Sequence, residues 1–179
     1  MATLHLVTCS NLRFPTSAPA WALAALLALG ALAGCDQQRV AKLEEGVASE
    51  LDVMKQFGTP LDIHREADGS RTFEYTRQPE GVANYFITIG PDGKMSALRQ
   101  VLAPPYFAKV QPGMEQAAVR RLLGQPALKT PFALKKEEVW DWRWQEGQQR
   151  KVFRVTFDEA GRVTQAASLD DPKDMHGGG

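Results

Sequence analysis

Two stretches of this chain are written on one template: "GVASELDVMKQFGTP", Gly46 to Pro60, and "GMEQAAVRRLLGQP", Gly113 to Pro126. Each opens on Gly, passes through Val53 or Val119, reaches Phe57-Gly58 or Leu123-Gly124, and has Pro two residues further on. Val119, Leu122 and Leu123 stand at i, i+3 and i+4, the apolar stripe of a helix, and Val53, Met54 and Phe57 form the matching stripe. Gly just past the last apolar residue suits a left-handed C-terminal cap, and the following Pro stops propagation. Ser49 with Asp52 three residues later is a near capping box, which predicts a first helix starting at about Ser49. A chain that carries such a unit twice is constrained to a tandem fold.

After each helix the apolar period changes to two. Phe73 and Tyr75 alternate with polar neighbours in "RTFEYTR". Tyr85, Ile87 and Ile89 follow in "ANYFITIG", and "PDGK" turns the chain into "MSALRQVL". In the second copy Trp140, Trp142 and Trp144 share one face of "EVWDWRW", and Phe153, Val155 and Phe157 share one face of "KVFRVTF" before "DEAGR" turns into "VTQAAS". The expected class is α+β: two repeats, each a short helical segment packed on a small antiparallel sheet of about three strands. Their expected bounds are 46–102 and 110–169, with a linker at 103–109 and a disordered tail at 170–179. A unit of about 60 residues barely buries enough surface to fold alone. The linker residues Tyr106 and Phe107 are therefore candidate wedges between the copies.

The amino-terminal end carries a different signal. No charged residue occurs from Ala18 to Gly34, "APAWALAALLALGALAG". This run is short of the roughly 20 residues that span a bilayer core, and it suits the apolar region of a secretory signal at 1–34. "LAGC" resembles the lipobox of bacterial lipoproteins. That resemblance implies cleavage between Gly34 and Cys35, acylation of Cys35, and a lipidated linker at 35–45. The only other cysteine, Cys9, then leaves with the signal, and the mature chain has no free thiol. Asp36, directly after the cysteine, resembles the residue that keeps lipoproteins of enteric bacteria in the inner membrane.

Together, the two Gly-to-Gly-x-Pro helices, "FEY", "VWDW" and the lipobox resemble the BamE (SmpA/OmlA) family, over about Gly46 to Ser168. The tandem arrangement is also similar to the beta-lactamase inhibitory proteins. The resemblance implies a membrane-anchored, periplasm-facing lipoprotein acting as a non-enzymatic protein-binding or assembly module. Its expected role is accessory to outer-membrane β-barrel protein assembly or envelope integrity, through a periplasmic or outer-membrane protein partner. The alternative is an inhibitor-like binder of a periplasmic enzyme. The family places the protein at the outer membrane, whereas Asp36 argues for the inner one. The second helix departs from the family pattern, with Glu115 where a capping Thr or Ser is usual.

Balanced charge, 21 Lys and Arg against 21 Asp and Glu, is no footprint for nucleic acid. Of the histidines that survive cleavage, His176 lies in a glycine-ended tail and His64 fits a strand edge before a turn. No Cys or His pair has metal-ligand spacing, and no Gly-rich phosphate loop occurs. We therefore expect no catalytic residue, no metal, no cofactor and no small-molecule substrate, although a carboxylate-based hydrolase is a third reading of the abundant acids. "DDPKDMH" reads as solvated tail. The tryptophan ladder is core if it faces the helix, and a partner site if it faces outward. The opposite face, with Asp141, Arg143, Arg154 and Thr156, reads as solvated sheet or as a polar recognition surface.

Overall fold

A computed structural model describes residues 35–172. Residues 1–34, where the signal is expected, with Cys9 and Gly34, and residues 173–179, with His176, lie outside them. Helix α1 (Cys35–Val40) leads into a compact unit that begins at Arg39 and carries every strand described. Then come α2 (Glu50–Phe57), β1 (Asp62–Arg65), β2 (Arg71–Thr76), β3 (Asn84–Ile89) and β4 (Met95–Gln100). The second copy comprises α3 (Pro104–Phe107), α4 (Gln116–Leu123), β5 (Leu128–Phe132), β6 (Glu137–Glu146), β7 (Gln149–Phe157) and β8 (Val163–Asp170). The strands form two four-stranded antiparallel sheets, ordered β1-β2-β3-β4 and β5-β6-β7-β8. Among the described residues no helix is long and apolar enough to cross a membrane.

The α+β class and the twofold repeat agree with expectation, but each sheet has four strands where about three are expected. The added strands, β1 and β5, are sheet edges. Their side chains are mostly exposed, so they show no buried alternation, and Pro131 inside β5 argues against a strand from sequence. Proline is tolerated at an edge because it removes no ladder hydrogen bond there. Two further expectations need correction. The linker 103–109 contains the one-turn helix α3, whose Phe107 is buried and stacks on Phe153 at 4.1 Å. The tail does not begin at Asp170: that residue pairs with Lys151 in β8, and Asp171 is buried beside Arg143. The buried Asp171 carboxylate is paired there with the partly exposed Arg143.

Helix α2 begins as its sequence requires. The Ser49 and Asp52 side chains reciprocally cap each other's backbone N–H, and Gly58 ends the helix at φ 83°. Helix α4 has no side-chain cap at Glu115 and ends on Gly124 at φ 77°. An isolated bridge ties each helix start to a hairpin of its sheet, Ser49 to Lys94 and Glu115 to Arg162. Each sheet also has one irregularity at the same place, between Thr88 and Ile89 and between Thr156 and Phe157. These shared irregularities mark the two halves as copies of one unit.

Each helix buries two residues against its own sheet. Val53 and Phe57 meet Phe73, Tyr75, Tyr85 and Ile87; Val119 and Leu123 meet the tryptophan ladder, Phe153 and Val155. Trp140, Trp142 and Trp144 are all buried, so the ladder is core and the outward alternative is closed. Trp142 donates its indole N–H to the carbonyl of Gly124 at 2.9 Å, and Tyr75 donates its hydroxyl to the carbonyl of Gly58 at 3.1 Å. Both bonds satisfy the same helix-end carbonyl, a group that otherwise lacks an intrahelical partner. Burial, helped by the negative charge of Glu50 and opposed by Arg77, pushes the Tyr75 phenol up to about 12.

Candidate protein-binding surface

The copies meet where the end of α4 rests on the outer face of the first sheet. Glu74, fully buried in β2, accepts from Arg120 Nη1 at 2.6 Å and from the Gln125 backbone N–H at 2.8 Å. Asn84, also fully buried, donates to the carbonyls of Leu123 at 2.8 Å and Gln125 at 2.9 Å. A β-carbon on Gly124 would stand 3.0 Å from the Asn84 amide and 3.1 Å from the Glu74 carboxylate, so the approach needs glycine as well as its positive φ. Arg121 reaches Glu66 at 2.6 Å, and Gln78 exchanges hydrogen bonds with the backbone of Arg143. Phe86, opposite Glu74 on the same face, packs against the second core, and the two fully buried polar side chains of the seam are paired, as burial demands.

His64 lies at this seam, on edge strand β1. Its Nε2 is 3.6 Å from Glu74 Oε2, and its Nδ1 is 3.9 Å from Asp62. The three side chains offer ligand atoms within 4.8 Å of one another. Arg120 already holds the same Glu74 oxygen, however, and a cation there would have to displace it. The Glu74–Arg120 ion pair forms the joint, and His64 Nε2 is buried beside it with no hydrogen-bond partner.

The outer face of the second sheet is the exposed counterpart of that seam. Register places Val139, Asp141 and Arg143 of β6 beside Thr156, Arg154 and Val152 of β7. Arg154 holds Asp141 through two bonds of 2.8 Å each, from Nε and Nη2, so the central acid is neutralised within its own sheet. Toward the β5–β6 hairpin the face dips into a hollow of about 400 Å³ lined by Phe132, Glu137, Val139, Thr156 and Gln165 among others. Phe132 is 44% exposed, and Leu134 on the hairpin is fully exposed. Large apolar side chains beside a polar face are what protein-contact surfaces combine.

The residues expected from sequence thus fall in three places. Cys35 and Asp36 open α1. The Trp140 face is core. Asp141, Arg143, Arg154 and Thr156, which read from sequence first as solvated sheet, line one surface. Glu74 and Asn84 were missed. They alternate outward from the core like any solvated residue, and only the second copy, packing on them, makes them buried.

The fold defines a class: a small tandem α+β module of two helix-on-sheet units. More particularly, residues 100–167 match the family model for the outer membrane protein assembly factor BamE domain, so the second half of the chain is BamE-like. No curated protein sequence matches the chain. Among solved structures, a putative osmotically inducible lipoprotein, OsmE, is 27% identical over 37% of this chain and 76% of its own, with a TM-score of 0.34. A putative beta-lactamase inhibitor protein from Streptococcus mutans is 13% identical over 78% of this chain and 98% of its own, with a TM-score of 0.31.

Proposed function

We propose that this protein is a lipoprotein anchored through Cys35 that acts, without catalysis, as a protein-binding accessory to outer-membrane protein assembly. The observation that carries the reading is the BamE-domain match over residues 100–167. The exposed face beside Phe132 and Leu134 belongs to that same segment and supplies a contact surface. In this reading residues 1–34 are the signal, and 35–45 tether two repeats that face the periplasm. Each buried acyl methylene contributes about 0.8 kcal/mol, so two or three chains hold the protein at the membrane essentially permanently.

A photo-crosslinking residue in place of Phe132, used in intact cells, tests the partner. The expected adduct contains a component of the β-barrel assembly machinery. An adduct with a soluble periplasmic enzyme alone would replace this reading by the inhibitor-like one.

The anchor has its own expected result. Wild type takes up a labelled fatty acid, and Cys35→Ser loses both the label and the lipoprotein-type cleavage; labelling that survives the substitution overturns the assignment. On a density gradient wild type should sediment with the outer membrane. If it runs with the inner membrane, and Asp36→Ser moves it outward, Asp36 is a retention signal and the assembly role falls.

A further inference from the structure

The tandem repeat makes its helix-on-sheet interface once and leaves each half of it open once. Counterparts follow from the shared caps and register: Gly58 matches Gly124, Tyr75 matches Trp142, Glu74 matches Asp141, and Asn84 matches Val152. Internally, the corner after α4 is covered by the first sheet, and Gly124 and Pro126 are buried. The equivalent corner after α2 is open. Gly58 and Thr59 are exposed, Leu61 is 54% exposed, and a β-carbon on Gly58 would meet nothing within 4 Å. Among the described residues, the outer face of the second sheet carries no helix. It has a hollow of about 220 Å³ there, lined by Leu128, Asp141, Val152, Arg154 and Pro172 among others.

The two open halves have changed chemistry in step. In the internal interface a helix cation, Arg120, meets a sheet acid, Glu74, and Asn84 grips the helix-end carbonyls. In the open pair the position of Arg120 is held by Met54. The acid Asp141 no longer calls for a cation from outside, because Arg154 already neutralises it. Val152 replaces Asn84, and Leu61 and Leu128 are exposed apolar residues at the margins. A corner without the cation that meets Glu74 is thus matched by a sheet acid that no longer needs one, while Lys55 keeps the charge of Arg121.

We infer that the α2 corner of one copy seats on the outer face of the second sheet of the next, so that the protein associates head to tail. The occupant of the hollow is a second copy of this chain. The contact is heterologous, so each added copy presents a fresh open half, and growth continues unless the rotation closes a ring. This goes beyond the proposed function, and its hollow adjoins the one beside Phe132, sharing Leu128, Asp141 and Arg154 with it.

Sedimentation velocity of the full chain in density-matched detergent tests it. Wild type is expected to pass from monomer through dimer to larger species as concentration rises. Thr59→Glu and Leu128→Glu place a carboxylate on one half each, facing Asp141 or the helix-end carbonyls, and each should weaken association about tenfold or more. Each variant keeps one intact half, so an equimolar mixture is expected to form dimers and nothing larger. Both positions are exposed; should either variant melt early, Leu61→Glu and Thr130→Glu take their places. A wild type that stays monomeric overturns the inference. So does a dimer that survives both substitutions, or a mixture that fails to pair. The crosslink at Phe132 reads the assembly role separately: a monomer that still forms that adduct loses only the head-to-tail contact, and an oligomer without it loses only the assembly role.

Discussion

Trp142→Ala should lower the free energy of unfolding by about 3–5 kcal/mol, measured by urea denaturation of the otherwise unchanged chain. The side chain is fully buried at the centre of the second core, between Trp140 and the helix bearing Val119 and Leu123. Truncation opens a cavity and also strips the Gly124 carbonyl of its indole donor. Gly124 lies against Asn84 and Glu74, so the loss is felt at the seam as well as in the core. Tyr75→Phe is the natural control: it removes only the equivalent hydrogen bond, worth about 1 kcal/mol net. If Trp142→Ala melts within a degree or two of wild type, the packing described for the ladder is wrong.

Arg120→Ala should cost about 3 kcal/mol, with a specific rescue. Deleting Arg120 leaves Glu74 fully buried without its ion-pair partner, with only the Gln125 N–H and the His64 ring at 3.6 Å beside it, the situation in which breaking an ion pair is most destabilising. Arg120 itself is partly open to solvent, which places the effect at the low end of the range for buried pairs. Adding Glu74→Gln removes the stranded charge and should restore most of the loss. The coupling between the two sites in a double-mutant cycle is then between 1 and 3 kcal/mol in magnitude, as expected of direct contact, at about the scale measured elsewhere. Additive effects would mean that the pair contributes nothing to the joint.

What could be read from the sequence is what a local period encodes. The stripe of Val119, Leu122 and Leu123, the Ser49–Asp52 box and the alternation of Trp140, Trp142 and Trp144 each name an element and a buried face without outside information. Edge strands escape that logic. Asp62–Arg65 and Leu128–Phe132 bury little on either side, and their hydrogen bonds to β2 and β6 leave no trace in hydropathy. The seam escapes it for another reason. Glu74 is outward by period and buried by packing, and nothing within "TFEYT" distinguishes it from a solvated acid. The candidate surface was legible as a set of residues, but its hollow depends on a hairpin that the sequence reading did not place.

The polarity of the joint bears on the order in which the halves can take shape. Under the proposed export, delivery from the amino-terminal end presents the first repeat before Arg120 has emerged. At that stage the face carries Thr72, Glu74, Thr76 and Asn84, with Phe86 opposite Glu74, and it is mostly hydrophilic. A greasy joint would leave the half-exported chain with a sticky surface for as long as the remainder took to follow. Here the dehydration of Glu74 is deferred until its cation arrives on the second helix, so the last step of assembly is the one that needs both halves present.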